Sequence, residues 1–98
     1  MYKDLISYEL AEGKTKEQLL DIAQRIIDEW MKKLPGFIKW EIHESGNGVF
    51  YDIVYWEDEA SAKNAEKEMM HRPNAAEWYG CYKPETISGK KMRLLKEF

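Results

Sequence analysis

The stretch WEIHESGNGVFYDIVYW, Trp40–Trp56, decides the fold. It reads as a strand over about 37–44, a turn, and a second strand over about 49–56, because aromatic and β-branched residues flank a Ser/Gly/Asn cluster. Asn47-Gly48 suits the positive φ angles of a two-residue type I′ turn. The stretch therefore predicts a tight β-hairpin.

The segments before the hairpin alternate between strand and helix. Asp4–Leu10 has the period-two pattern of a strand. A helix begins at Thr15, which has Gln18 three residues later as in a capping box, and its apolar residues recur every three or four positions as far as Leu34. Pro35-Gly36 ends it, since proline lacks an amide donor and glycine permits positive φ.

A second helix follows the hairpin over 57–70 and is broken by Pro73. Asn74–Gly80 reads as a short helical turn with Asn74 as its cap, and the last strand lies around Lys91–Lys96. The order βαββαβ with right-handed crossovers predicts one ferredoxin-like α+β domain over residues 1–98, in which a four-stranded antiparallel sheet carries its helices on one face.

Composition excludes several classes of protein. The net charge is −3 and the charges form no basic stripe, so we expect no binding to nucleic acid. No segment has the length and hydrophobicity of a leader or a membrane span. Cys81 is the single cysteine, and no disulfide within the chain follows. These features predict a soluble, cytoplasmic protein that has no membrane partner.

The second hairpin strand is apolar on both faces, unlike a strand with one face in water. An even-length turn groups its odd-numbered residues with apolar residues of the first hairpin strand: Ile38, Trp40, Ile42, Tyr51, Ile53 and Tyr55. Two helices cover only one face of a sheet, so the pattern predicts a homodimer that buries the other face. The alternative is an exposed aromatic patch on a monomer.

Three polar residues lie among these aromatic side chains. With a two-residue turn, His43 lies directly across from Asp52, and Glu41 shares their face. A histidine beside a carboxylate gains basicity, as a base that abstracts a phenol proton needs. The alternative is a solvated polar network that includes Lys39. A metal site is not expected, because Glu41 and His43 supply only two ligands.

Two longer segments carry a resemblance to a known family. LPGFIKWEI, Leu34–Ile42, and DIVYWEDEASAKNAEK, Asp52–Lys67, together resemble the antibiotic biosynthesis monooxygenase-like family of dimeric α/β barrels. The matching features are Pro35-Gly36-Phe37, the strand that ends in Trp56, the acidic helix start at 57–60, and a proline after that helix. The resemblance covers essentially the whole chain and implies homodimers whose sheets pack face to face.

The resemblance also implies a site. In the cofactor-independent oxygenases of this family, which act on phenolic polyketides, a polar residue on the third strand and a tryptophan four positions later line the pocket between sheet and helices. Asp52 and Trp56 match this spacing, with Asp where Asn is familiar. The haem-degrading members resemble the chain less, since its first strand lacks their asparagine and its second helix has Lys63, Asn64 and Ala65 instead of their Trp and His.

Two functions remain open on the sequence. The first is a cofactor-free, oxygenase-like reaction on a small aromatic compound, in which His43 and Asp52 position or deprotonate the substrate. Trp56, Phe50 and Glu41 would then bind that substrate. The second is a non-catalytic homodimeric module that binds a small ligand or serves in assembly. Neither hypothesis calls for a cofactor or a metal.

Overall fold

A single four-stranded antiparallel sheet forms one layer of the protein. The computed structural model describes residues 1–72 and 74–98. The strands lie in the order β2-β3-β1-β4 and comprise β1 (Tyr2–Tyr8), β2 (Phe37–Glu44), β3 (Phe50–Trp56) and β4 (Ser88–Arg93).

The second layer is helical and packs on one face of the sheet. It consists of α1 (Lys16–Glu29), α2 (Glu59–Met69) and the short α3 (Ala75–Tyr79), with 3₁₀ turns at Met31–Lys33 and Pro84–Thr86. The predicted ferredoxin-like βαββαβ architecture is confirmed. No helix in the described part of the chain has the length and apolar character needed to cross a membrane.

Several element boundaries differ from the prediction. β1 begins and ends two residues earlier than predicted, and β4 lies three residues earlier. α1 ends at Glu29 and does not continue to Leu34, because Trp30 leaves the helical region with φ −154° and a 3₁₀ turn follows. The predicted break of the second helix at Pro73 falls outside the described residues.

Helix starts follow their local sequence signals. The predicted capping box of α1 is present: Gln18 N–H donates to Thr15 Oγ1 over 3.2 Å, and Thr15 N–H donates to Gln18 Oε1 over 2.9 Å. Asp58 caps α2 by accepting a 2.8 Å hydrogen bond from Ser61 N–H. These side chains satisfy amide groups that have no partner within their own helices.

Asn74 stands at the predicted cap position of α3, but its side chain makes no capping hydrogen bond. Its Oδ1 accepts a 3.1 Å bond from Trp30 Nε1, and its amide nitrogen donates over 3.0 Å to Glu29. Asn74 is buried, so these bonds tie α3 to the end of α1 across the helical layer.

The turn of the β2–β3 hairpin sets the register of the sheet. Ser45 N–H donates to Val49 O over 2.9 Å, and within the turn only Gly48 has positive φ, at +83°. This is a three-residue loop with glycine at its left-handed position, so the predicted two-residue type I′ turn is wrong. His43 consequently pairs with Tyr51, and Ile42 pairs with Asp52.

A shift of one residue sends every side chain of a strand to the opposite face. Trp40 and Ile42 therefore face the helices, and the predicted continuous apolar surface that joins them to Tyr51, Ile53 and Tyr55 is wrong. The outer face of the sheet, which the helices do not cover, is mixed in character. It carries Lys3, Leu5, Ser7, Lys39, Glu41, His43, Tyr51, Ile53, Tyr55, Lys90 and Met92.

The core has two parts, one beneath each long helix. Beneath α1, large side chains such as Tyr8, Ile26 and Trp78 fill the space. Beneath α2, the helix contributes only Ala62 and Ala65 to the buried cluster. Small side chains on α2 leave room above the sheet, and the candidate site occupies that room.

Candidate functional site

A cavity of about 710 Å³ lies between the sheet and the helices α2 and α3. Its volume falls within the range of about 300–1,000 Å³ that is usual for small-molecule sites. The wall is mainly apolar and includes Trp40, Val54, Trp56, Ala62, Ala65 and Met69. Three carboxylates, Asp4, Asp52 and Glu66, also line it.

Asp52 is the most deeply placed polar group of the cavity, with 2% of its surface exposed. Tyr8 Oη donates to its Oδ1 over 2.7 Å, and Tyr82 Oη donates to its Oδ2 over 3.0 Å. Burial raises the pKa of Asp52 to about 7, against the opposing effect of Tyr8, Tyr82 and Trp40. Asp52 can therefore take up or release a proton near neutral pH.

The two tyrosines form a fixed donor pair. Their ring centroids are 4.1 Å apart, and Tyr8 also stacks on Phe50 at 6.0 Å. Burial and the nearby Asp52 carboxylate raise the pKa of both phenols well above the usual range. Both hydroxyls therefore keep their protons at neutral pH and serve as hydrogen-bond donors.

Val54 marks the centre of the cavity floor. Asp4 of β1 and Trp40 of β2 lie directly beside it on either side. Asp52 and Trp56 lie two residues before and after it on β3, and so point to the same side of the sheet. The floor thus presents two carboxyl groups and two indole N–H groups around one apolar side chain.

Three polar atoms of this floor are buried without a hydrogen-bond partner among residues 1–72 and 74–98: Asp4 Oδ1, Trp40 Nε1 and Trp56 Nε1. Burial raises the pKa of Asp4, while the Lys91 ammonium and the Trp56 indole oppose the increase. Lys91 lies directly across from Asp4 on β4 but forms its ion pair with Glu66 of α2, beside the cavity.

His43 and Glu41 lie outside this cavity, on the outer face of the sheet. His43 Nε2 is 3.2 Å from Glu41 Oε1, which also accepts a 2.9 Å hydrogen bond from Tyr55 Oη. With Lys39, these contacts lower the pKa of Glu41 to about 2. The predicted pairing of His43 with Asp52 is wrong, and the polar network with Lys39 is present without Asp52.

The other predicted residues divide between the cavity and the core. Trp56 lines the cavity beside Val54, as its spacing from Asp52 indicates. Phe50 shares the helix-facing side of β3 but packs in the core beneath α1. Cys81 is fully buried, and burial raises the pKa of its thiol, so it is a packing residue and a poor nucleophile.

Sequence reasoning missed Asp4 and Tyr82, and it assigned Trp40 only to an apolar face of the sheet. A signal for Asp4 existed, since it is in phase with Ile6 and Tyr8 on the buried side of β1. Tyr82 had none, because it follows α3 in an irregular segment that the fold carries back to the sheet. Within the described ranges, no three His, Cys, Asp or Glu side chains group to hold a metal ion.

Solved structures share this fold over nearly the whole chain. SnoaB, a cofactor-independent oxygenase from Streptomyces nogalater, has 11% sequence identity and a TM-score of 0.73, with 98% of this chain and 94% of that chain covered. A monooxygenase from the ActVA-Orf6 gene of Streptomyces coelicolor, in complex with nanaomycin D, has 17% identity and a TM-score of 0.70, with 99% and 89% covered.

A protein from Nitrosomonas europaea that bears the name antibiotic biosynthesis monooxygenase has 18% identity and a TM-score of 0.72, with 98% of this chain and 100% of that chain covered. No protein-family model matches the sequence, and no curated protein matches it. The predicted antibiotic biosynthesis monooxygenase-like fold is therefore confirmed by structure, at identities that establish the fold alone.

Proposed function

We propose that this chain is a cofactor-independent, monooxygenase-like protein that binds and oxidises a small phenolic compound in the cavity between its sheet and α2. The observation that carries the proposal is Asp52, a buried carboxyl group in a mainly apolar cavity with a pKa of about 7. A base with a pKa near the working pH is the most effective one for general catalysis. The shared fold with oxygenases adds support by analogy.

The chemistry assigned to Asp52 is removal of the phenol proton. A phenolate is richer in electrons than a phenol and reacts more readily with dioxygen. In the balanced reaction, one oxygen atom enters the ring at a C–H position and the other leaves as water, while the phenol becomes a quinone. The substrate supplies all four electrons, so no external reductant enters the balance.

Tyr8 and Tyr82 hold Asp52 in place for this step. Because each carboxylate oxygen has two lone pairs, the hydrogen bonds from the tyrosines leave one lone pair on each oxygen of Asp52 that can accept from a further donor. The substrate hydroxyl is that donor. Trp56 and Val54 then form the surface on which the aromatic ring lies.

The alternative is a module that binds a ligand without turnover. One observation favours it: both oxygens of Asp52 already accept a hydrogen bond, so the residue is satisfied as a structural group. In that case the carboxyl group orders the core between Tyr8 and Tyr82. The cavity would still bind an apolar ligand.

We also propose that two copies of the chain associate through the outer face of the sheet. Leu5, Ile53 and Tyr55 are only partly buried there, and Tyr51 and Met92 are exposed. The segment after β4 adds exposed apolar side chains, of which Phe98 is the most prominent. Covering this area removes apolar surface from water.

Oxygen uptake with a panel of phenols and hydroquinones tests the enzymatic proposal. Asp52→Asn removes the base while it keeps the shape of the side chain, and we expect a decrease on the order of 100-fold or more in turnover. His43→Gln alters the opposite face, so we expect no change. Uptake that survives Asp52→Asn, or that is lost in His43→Gln, contradicts the assignment. No uptake with any compound, together with ligand binding, supports the non-catalytic module.

A further inference from the structure

The cavity floor has a second polar position besides Asp52. Asp4 lies across from Val54, whereas Asp52 lies across from Ile6, the next residue of β1 on that face. Diagonal neighbours on adjacent strands are about 7–8 Å apart. The two carboxyl groups therefore lie at separate points of one cavity and can contact different parts of one ligand.

The two carboxyl groups differ in how they are satisfied. Tyr8 and Tyr82 donate one hydrogen bond to each oxygen of Asp52. Asp4 Oδ1 is buried, and no group in the described part of the chain donates to it. A buried carboxyl oxygen without a donor is costly. A donor from a ligand would remove that cost.

A donor without an acceptor lies beside it. Trp56 shares the helix-facing side of β3 with Val54 and is a diagonal neighbour of Asp4. Its Nε1 is buried and, within residues 1–72 and 74–98, makes no hydrogen bond of normal geometry, although the indole lies close enough to Asp4 to lower the pKa of that carboxyl group. An acceptor and a donor thus lie side by side, and neither completes a hydrogen bond of normal geometry with the other. A hydroxyl group satisfies both at once, because it donates one hydrogen bond and accepts others.

Lys91 does not fill this role in the structure. It is the cross-strand partner of Asp4 on β4, but its ammonium group pairs with Glu66 on α2. This ion pair joins the edge strand to the helix within the lining of the cavity, and among the described residues Asp4 Oδ1 has no hydrogen-bond donor.

We infer that Asp4 and Trp56 together bind a hydroxyl group of the aromatic ligand, at the point of the cavity away from Asp52. This inference rests on the proposed function, since it assigns a second recognition point to the same cavity. The ligand class is an aromatic compound with two hydroxyl groups on separate rings or at opposite ends of a fused ring system. Asp4 is a specificity-determining residue, and Asp52 contacts the other hydroxyl.

Calorimetry without oxygen tests this with two probes, 2,6-dihydroxynaphthalene and its monomethyl ether, 6-methoxy-2-naphthol. Both have the same ring system, and the ether has lost one hydroxyl donor. We expect wild-type protein to bind the dihydroxy compound at least about tenfold more tightly, as a hydrogen bond to a charged group contributes. In Asp4→Leu we expect the two affinities to be equal.

Matched variants separate recognition from folding. Asp21→Asn changes an exposed aspartate of α1, and we expect it to keep the full preference for the dihydroxy probe. Asp4→Asn keeps the shape of the side chain and one acceptor oxygen, so we expect a reduced preference. If Asp4→Leu does not fold, the comparison of Asp4→Asn with Asp21→Asn decides the matter. Lys91→Met tests whether Asp4 serves only to balance the charge of Lys91. We expect this variant to keep the preference for the dihydroxy probe.

Several results overturn the inference. One is a preference for the dihydroxy probe that stays unchanged in the Asp4 variants. Another is a loss of this preference in Lys91→Met that equals the loss in Asp4→Leu. The third is a failure of wild-type protein to bind either probe. Binding is measured without turnover, so the proposed function fails separately. Hydroxyl preference that depends on Asp4, in a protein that consumes no oxygen, supports this inference and contradicts the oxygenase.

Discussion

Tyr82 Oη donates a buried 3.0 Å hydrogen bond to Asp52 Oδ2, which joins the segment after α3 to the middle of β3. The two residues are 30 positions apart in the chain. The bond holds one oxygen of the most deeply buried carboxyl group in the cavity. It therefore links the position of the helical layer to the protonation of the candidate base.

Removing this donor changes the pKa of Asp52. Tyr82 stabilises the ionised carboxylate and so lowers its pKa, against the larger effect of burial. In Tyr82→Phe we expect the pKa to rise above the wild-type value of about 7. Carbon-detected NMR titration of labelled aspartate measures it. Tyr51→Phe is the control, since Tyr51 lies on the outer face, and an unchanged or lower pKa in Tyr82→Phe would contradict the geometry.

Asp52 also makes stability depend on pH. Its pKa is about 7 in the folded protein and 3.8 for an aspartate in an unfolded chain, so the folded state binds the proton more tightly between these values. The stabilisation that the protonated carboxyl group provides is fully present below the unfolded-state pKa of 3.8. It is lost as the pH rises through the folded-state pKa of about 7. The loss amounts to roughly 4 kcal/mol in the free energy of unfolding.

Asp52→Asn lacks this titration, so its stability relative to wild type should increase across the same pH window. Urea unfolding below pH of about 4 and above pH of about 7 measures the difference. Asp21→Asn serves as the control, because an exposed carboxyl group should leave the wild-type slope unchanged. Parallel pH dependence in wild type and Asp52→Asn would show that Asp52 titrates normally.

Gly48 is expected to be the critical residue of the hairpin loop. Its φ is +83°, and a Cβ atom added there would meet nothing within 4 Å, so Gly48→Ala should cost conformational energy alone. We expect about 1–2 kcal/mol of destabilisation. Gly46 has equal space and no positive φ, so Gly46→Ala should be neutral or slightly stabilising. Equal effects in denaturant unfolding would contradict the observed turn.

The proposed pairing of two chains depends on the outer face of the sheet. Ile53 lies there between Leu5 and Glu41 in neighbouring strands. Sedimentation should show wild-type protein at twice the 11.7 kDa mass of one chain, and Ile53→Lys should shift it to the single-chain mass. Leu20→Lys is the control, because Leu20 is exposed on α1. A single-chain species of the wild-type protein would refute the pairing.

Local signals in the sequence predicted most of the secondary structure. The capping box at Thr15 placed the start of α1, and alternation placed β2 within its observed bounds. Such signals depend on neighbouring residues, which is why they can be read from the chain. β4 was placed three residues too late, because its residues Ser88–Arg93 are all exposed and leave no alternation between buried and exposed positions.

The candidate site was only partly predictable. Asp52 and Trp56 were identified by their spacing, and both line the cavity. His43 was assigned to the wrong face because the pairing depends on the number of residues in the loop, and Asn47-Gly48 is compatible with two loop lengths. The pairing of His43 with Tyr51 follows from the observed loop.

The sequence by itself determined the order of the elements and the division of β3 into two apolar faces, since both depend on periodicity along the chain. Only the tertiary structure decided which side chains meet above the sheet. Tyr8, Asp52 and Tyr82 come from distant segments, and their contact depends on the hairpin register and on where α3 places the following residues. The raised pKa of Asp52 depends on its burial among these segments, because burial raises the pKa more than the hydrogen bonds from the two tyrosines lower it.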